Sequence, residues 1–238
     1  MARRLADGLW QFDLGLFRPL ASNVFLVDGA EVSGGDDAVT LVDTGLPINL
    51  PTVRGELDDA GFVVADIDRV LLTHYDLDHV GGLARLAGLD ADVYMGAADV
   101  DLVRGHWHPE WTHHKGAFHR LARMLYSMDD YDLHAVEDGD TIGGFTAFHT
   151  PGHNPGHTVY HHEGFDAAFL GDLVWEEDGE LTIPIWLDSY DMAEIRESVR
   201  SFADRAPPFE RGLMCHGNPV LEGADALMRA LADRLVPA

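Results

Sequence analysis

The sequence predicts a mixed α/β fold from three observations. Short apolar runs rich in β-branched residues are punctuated by Gly and Asp. Strand, helix and strand follow closely between residues 68 and 96, and side chains able to bind metal gather where strands end. In chain order, LWQFDLG, SNVFLVDG (22–29) and AVTLVDTG (38–45) read as strands, the third closing in a turn at Asp43, Thr44 and Gly45. LPTVRGELDDAG (50–61) reads as a helix with Pro51 in its first turn and Gly61 at its end. DRVLLTH (68–74) is expected to be a buried strand that delivers His74 at its C-terminal end. VGGLARLAGL then reads as a helix and ADVYMG as the next strand, which is the βαβ spacing.

Residues 97–128 combine helical tendency with aromatics and histidines, and are expected to form an inserted helical cap. Strands resume in GDTIGGFTAFHTPGH (139–153), TVYHHEG (158–164) and DAAFLGDL (166–173). A helix at about 190–205, a strand in FERGLMCHG and a helix from about 221 to 235 complete the pattern. No repeat or low-complexity linker divides it, so one domain is the expectation for 238 residues.

Composition narrows the function classes. The chain is 46% hydrophobic and 24% charged, ordinary for a globular protein, but 41 Asp and Glu outnumber 16 Lys and Arg for a net charge of −25. Lys115 is the one lysine; every other basic residue is arginine. An acidic, lysine-poor surface resembles that of proteins from salt-loving organisms, and it disfavours nucleic acid and anionic membranes as partners. One cysteine, Cys215, excludes an internal disulfide and a Cys-rich zinc module; beside His216, it reads as a buried strand residue. The first residues, MARRLADGLWQF, lack the apolar run of a secretory signal, and no stretch approaches the ~20 apolar residues of a membrane span. The expectation is a cytoplasmic protein acting on a small molecule; the sequence leaves its oligomeric state, a homodimer included, unspecified.

The densest chemistry lies in THYDLDHVGG (73–82), which packs His74, Asp76, Asp78 and His79 into six positions. Packing does not require that set. Three separated residues complete it: His153 in TPGHNPGH, Asp172 in FLGDL and His216 in MCHGN. Imidazoles and carboxylates together suit Zn²⁺, Mn²⁺ or Fe²⁺, and two such ions close together can share a hydroxide and stabilise a developing oxyanion.

In combination these motifs resemble the metallo-β-lactamase-fold hydrolase superfamily, over about residues 20 to 220. The resemblance implies a four-layered αββα sandwich with the site at one edge between two mixed sheets. It also implies two divalent ions, zinc first and manganese or iron as alternatives. One would be held by His74, the residue at 76 and His153, the other by Asp78, His79 and His216, with Asp172 bridging. The family loop is His-x-His-x-Asp-His, and position 76 here is Asp. That adds a hard anionic oxygen and tilts the first position toward Mn²⁺ or Fe²⁺. A carboxylate at 172, rather than Cys or Ser, resembles the branches that cleave esters, thioesters, lactones or phosphoesters.

Around this set, Asp43 is expected to fix a ligand histidine's tautomer, and His157 to orient a ligand or the bridging carboxylate. Asp78 and Asp172 are the candidate proton-handling residues. His149, His161 and His162 read as surface or packed histidines. The 106–119 segment supplies Trp107, His108 and Trp111 as candidates to face substrate, with Tyr190 further on; Trp175, Trp186 and Tyr126 stand on weaker ground. The expected function is metal-dependent hydrolysis of a small-molecule ester, lactone or thioester. The alternatives are an iron-dependent oxidoreductase or dioxygenase of the same fold, and a phosphodiesterase.

Overall fold

The computed structural model describes residues 1–15, 21–32 and 36–235. It opens with an antiparallel meander: β1 (Arg3–Ala6), β2 (Leu9–Leu14), β3 (Ser22–Asp28) and β4 (Val39–Val42). From β4 the direction of pairing changes to parallel, and each parallel step needs a crossover. Helix α1 (Val53–Ala60) leads to β5 (Arg69–Leu72), and α2 (Leu77–Val80) with a tight 3₁₀ stretch leads to β6 (Asp92–Gly96). Helices α3 (Ala97–Arg104) and α4 (His114–Leu125) precede β7 (Leu133–Val136). The seven strands lie in chain order in one sheet.

The second sheet uses β8 (Thr141–Ile142), β9 (Phe145–His149), β10 (Thr158–His162) and β11 (Ala167–Gly171) as an antiparallel run. A hairpin of β12 (Trp175–Glu177) and β13 (Glu180–Thr182) and then α5 (Met192–Arg205) separate β11 from β14 (Arg211–Met214), which returns parallel beside it. Helix α6 (Ala224–Arg234) follows.

Three apolar cores account for the layering. Leu9, Phe25, Val42, Leu71, Phe145, Tyr160 and Phe169 interleave between the two sheets. Leu57 of α1 and Val100 and Val103 of α3 pack on the outer face of the first sheet. Ile195, Val199 and Phe202 of α5, with Met228 and Leu231 of α6, cover the outer face of the second. This is the expected αββα order. Because β5 is covered on both faces, Arg69–Leu72 is buried throughout. Among the described residues, no helix is long and apolar enough to cross a membrane.

Several boundaries differ from the sequence reading. The helix expected from 50 begins later, because Thr52 is its N-cap and accepts the Gly55 N–H; Pro51 lies outside. Gly61 closes it in the left-handed conformation, as expected. The helix expected over VGGLARLAGL does not form as one unit. Its two glycines press against the preceding turn, Gly82 donating to the Gly45 carbonyl at 2.7 Å, and the chain continues as 3₁₀ from Gly81 to Arg85. In the expected cap α3 packs on β6 and β7 as an ordinary crossover helix, whereas α4 packs against the 3₁₀ turn at Trp186–Asp188.

Candidate metal centre

The site grows from the C-terminal edge of the first sheet. At the end of β4, Asp43 takes a left-handed conformation (φ 59°), which Asp tolerates better than most residues. This turns its carboxylate onto the end of β5. One oxygen accepts the Thr73 N–H at 2.8 Å; the other accepts the Thr73 hydroxyl at 2.8 Å and His79 Nδ1–H at 2.9 Å. Thr44 donates through both its N–H and its hydroxyl to the His79 carbonyl at 2.7 Å. His79 is thereby fixed with Nδ1–H on Asp43 and Nε2 facing inward. Burial lowers its pKa, but Cys215, Asp43 and Asp78 outweigh this and raise it well above the ordinary value, so the hydrogen on Nε2 is the one a bound cation would displace. His74 Nδ1 reaches the Thr73 hydroxyl at 3.1 Å, which holds its ring in the same sense. Burial, then the neighbouring His79, keep the His74 ring well below its ordinary pKa, so its lone pair is available.

His79, Asp78, Asp172 and His216 form one pocket. Nε2 of His79 lies 3.8 Å from Asp78 Oδ2 and 3.7 Å from Asp172 Oδ2; Nε2 of His216 lies 3.2 and 3.4 Å from the same two oxygens. An ion bound tetrahedrally at about 2.0–2.2 Å requires donor separations of about 3.3–3.6 Å, close to those seen. His79 Nε2, which faces this pocket, is buried without a hydrogen-bond partner, an arrangement that a cation would relieve. Burial disfavours a charged His216, yet the Asp172 carboxylate outweighs it and raises that ring's pKa, so the pocket attracts positive charge. These residues fit a divalent ion. Cys215 is buried as expected, and its sulfur lies within 4.8 Å of the Asp78, His79 and His216 donors, a proximity that adjacency in sequence had not suggested.

His157 holds the Asp172 backbone from behind. Its Nδ1–H donates to the Thr150 hydroxyl at 2.8 Å, and its Nε2 accepts the Asp172 N–H at 3.0 Å. Asp99, which the sequence reading passed over, ties the two ligand loops together by accepting the Tyr75 and Gly156 N–H groups, each at 2.8 Å. His216 is aimed by the Ala21 carbonyl, which lies 3.0 Å from its Nδ1.

The other expected position behaves differently. His153 Nε2 lies 3.1 Å from His74 Nε2, 3.1 Å from Asp76 Oδ2 and 3.6 Å from Asp172 Oδ2, so the expected donors do converge. A cation is already among them. The Lys115 ammonium, from α4, sits 2.7 Å from Asp76 Oδ2, 2.9 Å from His153 Nε2 and 2.8 Å from the Asp188 carbonyl. On the other Asp76 oxygen, His119 Nε2 lies at 2.6 Å and the Asn154 amide at 3.1 Å. Burial pushes the Asp76 carboxyl up, but Lys115, His74 and His119 reverse this and hold it well below the usual carboxylate range. An ion about 2.1 Å from both Asp76 Oδ2 and His153 Nε2 would stand within about 3.8 Å of Nζ on any side of their shared edge. A dication and an ammonium that close repel by roughly 9 kcal/mol even at an effective dielectric of 20. His74, His153 and Asp172 still bring three donor atoms within 4.8 Å of one another, so a second ion here would have to displace the Lys115 ammonium.

A cavity of about 690 Å³ opens over the centre. Phe118, Trp175, Ile185 and Leu187 give it apolar walls, and Asp13, Glu177 and Asp188 make it acidic. Among the described residues its lining does not include the four expected substrate contacts, Trp107, His108, Trp111 and Tyr190. Trp111 is 58% exposed with Arg120 over its ring, and His108 pairs with Arg123. Trp107 packs 6.3 Å from the Tyr190 ring, and the Tyr190 hydroxyl is spent on His119 Nδ1 at 2.8 Å. The histidines of this segment largely anchor the helix. His113 accepts the Gly116 N–H as N-cap and reaches the Tyr190 carbonyl, while His114 reaches the Trp186 carbonyl. His149 is exposed, and His161 and His162 are packed, as expected.

Known proteins resemble this chain along most of its length. The profile of the Metallo-beta-lactamase superfamily matches residues 17–208. The chain belongs to that superfamily. The probable metallo-hydrolase YybB of Bacillus subtilis (strain 168) is 26% identical over 225 residues, 92% of each chain. A hydroxyacylglutathione hydrolase of Tolumonas auensis is 29% identical over 110 residues, 46% of this chain and 35% of its own. Among solved structures, the metallo-beta-lactamase family protein TTHA1429 from Thermus thermophilus superposes with a TM-score of 0.69. It is 22% identical, over 97% of this chain and 80% of that one, and shows the fold. TTHA1623, in a di-iron-bound form, is 25% identical with a TM-score of 0.62, over 90% of this chain and 96% of its own. The superfamily's four-layered fold and the metallo-hydrolase class of such relatives agree with the sequence reading.

Proposed function

We propose that this superfamily member is a metal-dependent hydrolase of small, uncharged or cationic acyl compounds: esters, lactones or thioesters. The observation that carries the reading is the cluster of Asp78, His79, Asp172 and His216, of which Asp78 and His216 line a cavity sized for a small molecule. These four residues would hold the catalytic ion. When bound, a divalent ion supplies a Lewis acid and water acidic enough to attack near neutral pH. Asp43, Thr73 and Thr44 keep His79 in its ligand tautomer, and His157 keeps Asp172 turned into the pocket. Asp78, 29% exposed at its side chain and open to the cavity, is placed to accept a proton from the attacking water and return it to the leaving group. Phe118, Ile185 and Leu187 offer apolar wall to the acyl part of a substrate.

The acidic lining sets the substrate charge. Asp13, Glu177 and Asp188 disfavour phosphodiesters and polyanionic thioesters. Kinship with a hydroxyacylglutathione hydrolase supports the thioester class; the lining supports a less negative carrier.

The test is chelator-stripped full-length protein reloaded separately with zinc, manganese or iron, assayed on neutral and anionic esters, lactones and thioesters. Neutral substrates should be cleaved, and Asp172→Asn and His216→Ala should each lower kcat/KM by about 10³-fold or more, since each removes a ligand. Loaded protein that cleaves nothing on the panel overturns the reading. Bound iron with visible absorbance and no cleavage would favour the oxidoreductase alternative.

A further inference from the structure

We infer that Lys115 takes the place of the first metal, so that this chain works with a single ion, in the pocket of Asp78, His79, Asp172 and His216. The inference rests on the metal-centre reading above and concerns how many ions that centre holds.

Three observations carry it. The ammonium has three N–H donors, and the structure gives it three acceptors within 2.9 Å: Asp76 Oδ2, His153 Nε2 and the Asp188 carbonyl. Lys115 is 4% exposed and therefore locked in place, unlike a surface lysine resting over the site. Its immediate partner is the residue that departs from the family loop. An Asp at 76 supplies the negative charge that a buried ammonium needs, where the usual histidine would leave that charge unpaired. His119, one helical turn after Lys115 on the same face of α4, and Asn154 take the remaining Asp76 oxygen and leave that carboxylate saturated.

The chain's composition gives independent support. Every other basic residue is arginine, so the one lysine stands against a strong compositional preference. Only a compact ammonium can stand where a small ion would; a guanidinium is planar and too broad. Lys115 and Asp76 thus form an exchange in two parts, a built-in cation for a metal and a carboxylate for an imidazole. With all three donors spent, the ammonium acts as a fixed positive charge beside the reacting centre and makes no contact with substrate.

The probe is Mn²⁺ alone, added in excess to the chelator-stripped full chain, with unbound ion removed by gel filtration. Bound metal is counted by elemental analysis and its coupling read by electron paramagnetic resonance. The wild type should retain one Mn²⁺ per chain with the six-line signal of an isolated ion. His216→Ala should lose that ion, whereas His74→Ala should keep it. Lys115→Ala should take up two ions and show a spin-coupled pair. Lys115→Gln, which keeps a hydrogen-bonding side chain, serves the same purpose if the alanine variant folds poorly. Two coupled ions in the wild type overturn the inference and leave the metal-centre reading standing. So does one ion that follows His74 and not His216, or folded Lys115 variants that still hold one. A wild type that binds no Mn²⁺, Zn²⁺ or Fe²⁺ overturns both.

Discussion

Replacing Asp43 with Asn tests how the ligand histidine is prepared. Asn tolerates the left-handed backbone at this position, so the turn should survive. Its one oxygen must stay on the Thr73 N–H, because that donor cannot change direction. The amide nitrogen then faces the Thr73 hydroxyl and His79 Nδ1, where Asp accepts two hydrogens. His79 can satisfy the new donor only by accepting on Nδ1, which moves its proton to Nε2, the atom aimed at the ion. Losing that orientation should weaken metal binding by about 10–100-fold, or roughly 1.4–2.8 kcal/mol. Charge-assisted hydrogen bonds become neutral ones, so the stripped protein should lose about 1–3 kcal/mol of stability. Competition titration against a fluorescent chelator reads the affinity, and denaturant unfolding of the stripped protein reads the stability. An Asp43→Asn variant that binds metal within about threefold of wild type would refute the tautomer argument. Asp43→Ala should be worse in both assays, because it leaves three buried donors unpaired at a backbone angle alanine avoids.

Two further predictions concern the frame. His162 packs between Phe145 and Phe165 and accepts the Phe165 N–H on Nδ1, and burial pushes its pKa down to about 4. The unfolded chain protonates this group near 6.5 while the folded chain refuses the proton, so stability should fall as pH drops from about 6.5 towards 4; the His162→Gln difference from wild type should change by roughly 2 kcal/mol across that window in unfolding titrations, and parallel curves would refute it. Gly82→Ala would drive a Cβ into the Thr44 carbonyl oxygen, so thermal unfolding should show a loss of about 1–3 kcal/mol, and an unchanged melting temperature would mean that turn yields freely.

The candidate donor residues were legible in the sequence because ligand chemistry restricts residue type and spacing. The positions 74, 76, 78, 79, 153, 172 and 216 do converge, and Asp43 and His157 stand behind them as expected. What the sequence could not reveal is what Asp76 is for. Its carboxylate read as one more ligand, since nothing in the order of residues places a helix from 114–125 across the cleft. One clue was in plain view, a solitary lysine in an arginine-rich chain, but its meaning depends on a tertiary contact. The cavity walls were misjudged for a related reason. Trp107 and Trp111 were expected to face inward on aromatic character alone, whereas helix α4 presents Phe118 to the cavity and leaves Trp111 under Arg120. The glycine-interrupted stretch after His79 reads as a helix between two strands, yet close contact with the Thr44–Gly45 turn decides its shape.

The provenance of the four pocket residues has a mechanical meaning. Asp78 and His79 hang from the first sheet, Asp172 and His216 from the second, and Asn23 of β3 already stitches the two by donating to the Met214 and Gly217 carbonyls at 3.0 and 2.8 Å. A cation shared by all four would rivet one half of the sandwich to the other. Holding the ion and holding the halves in register would then be a single act, so the catalyst would double as a fastener at the seam it works in.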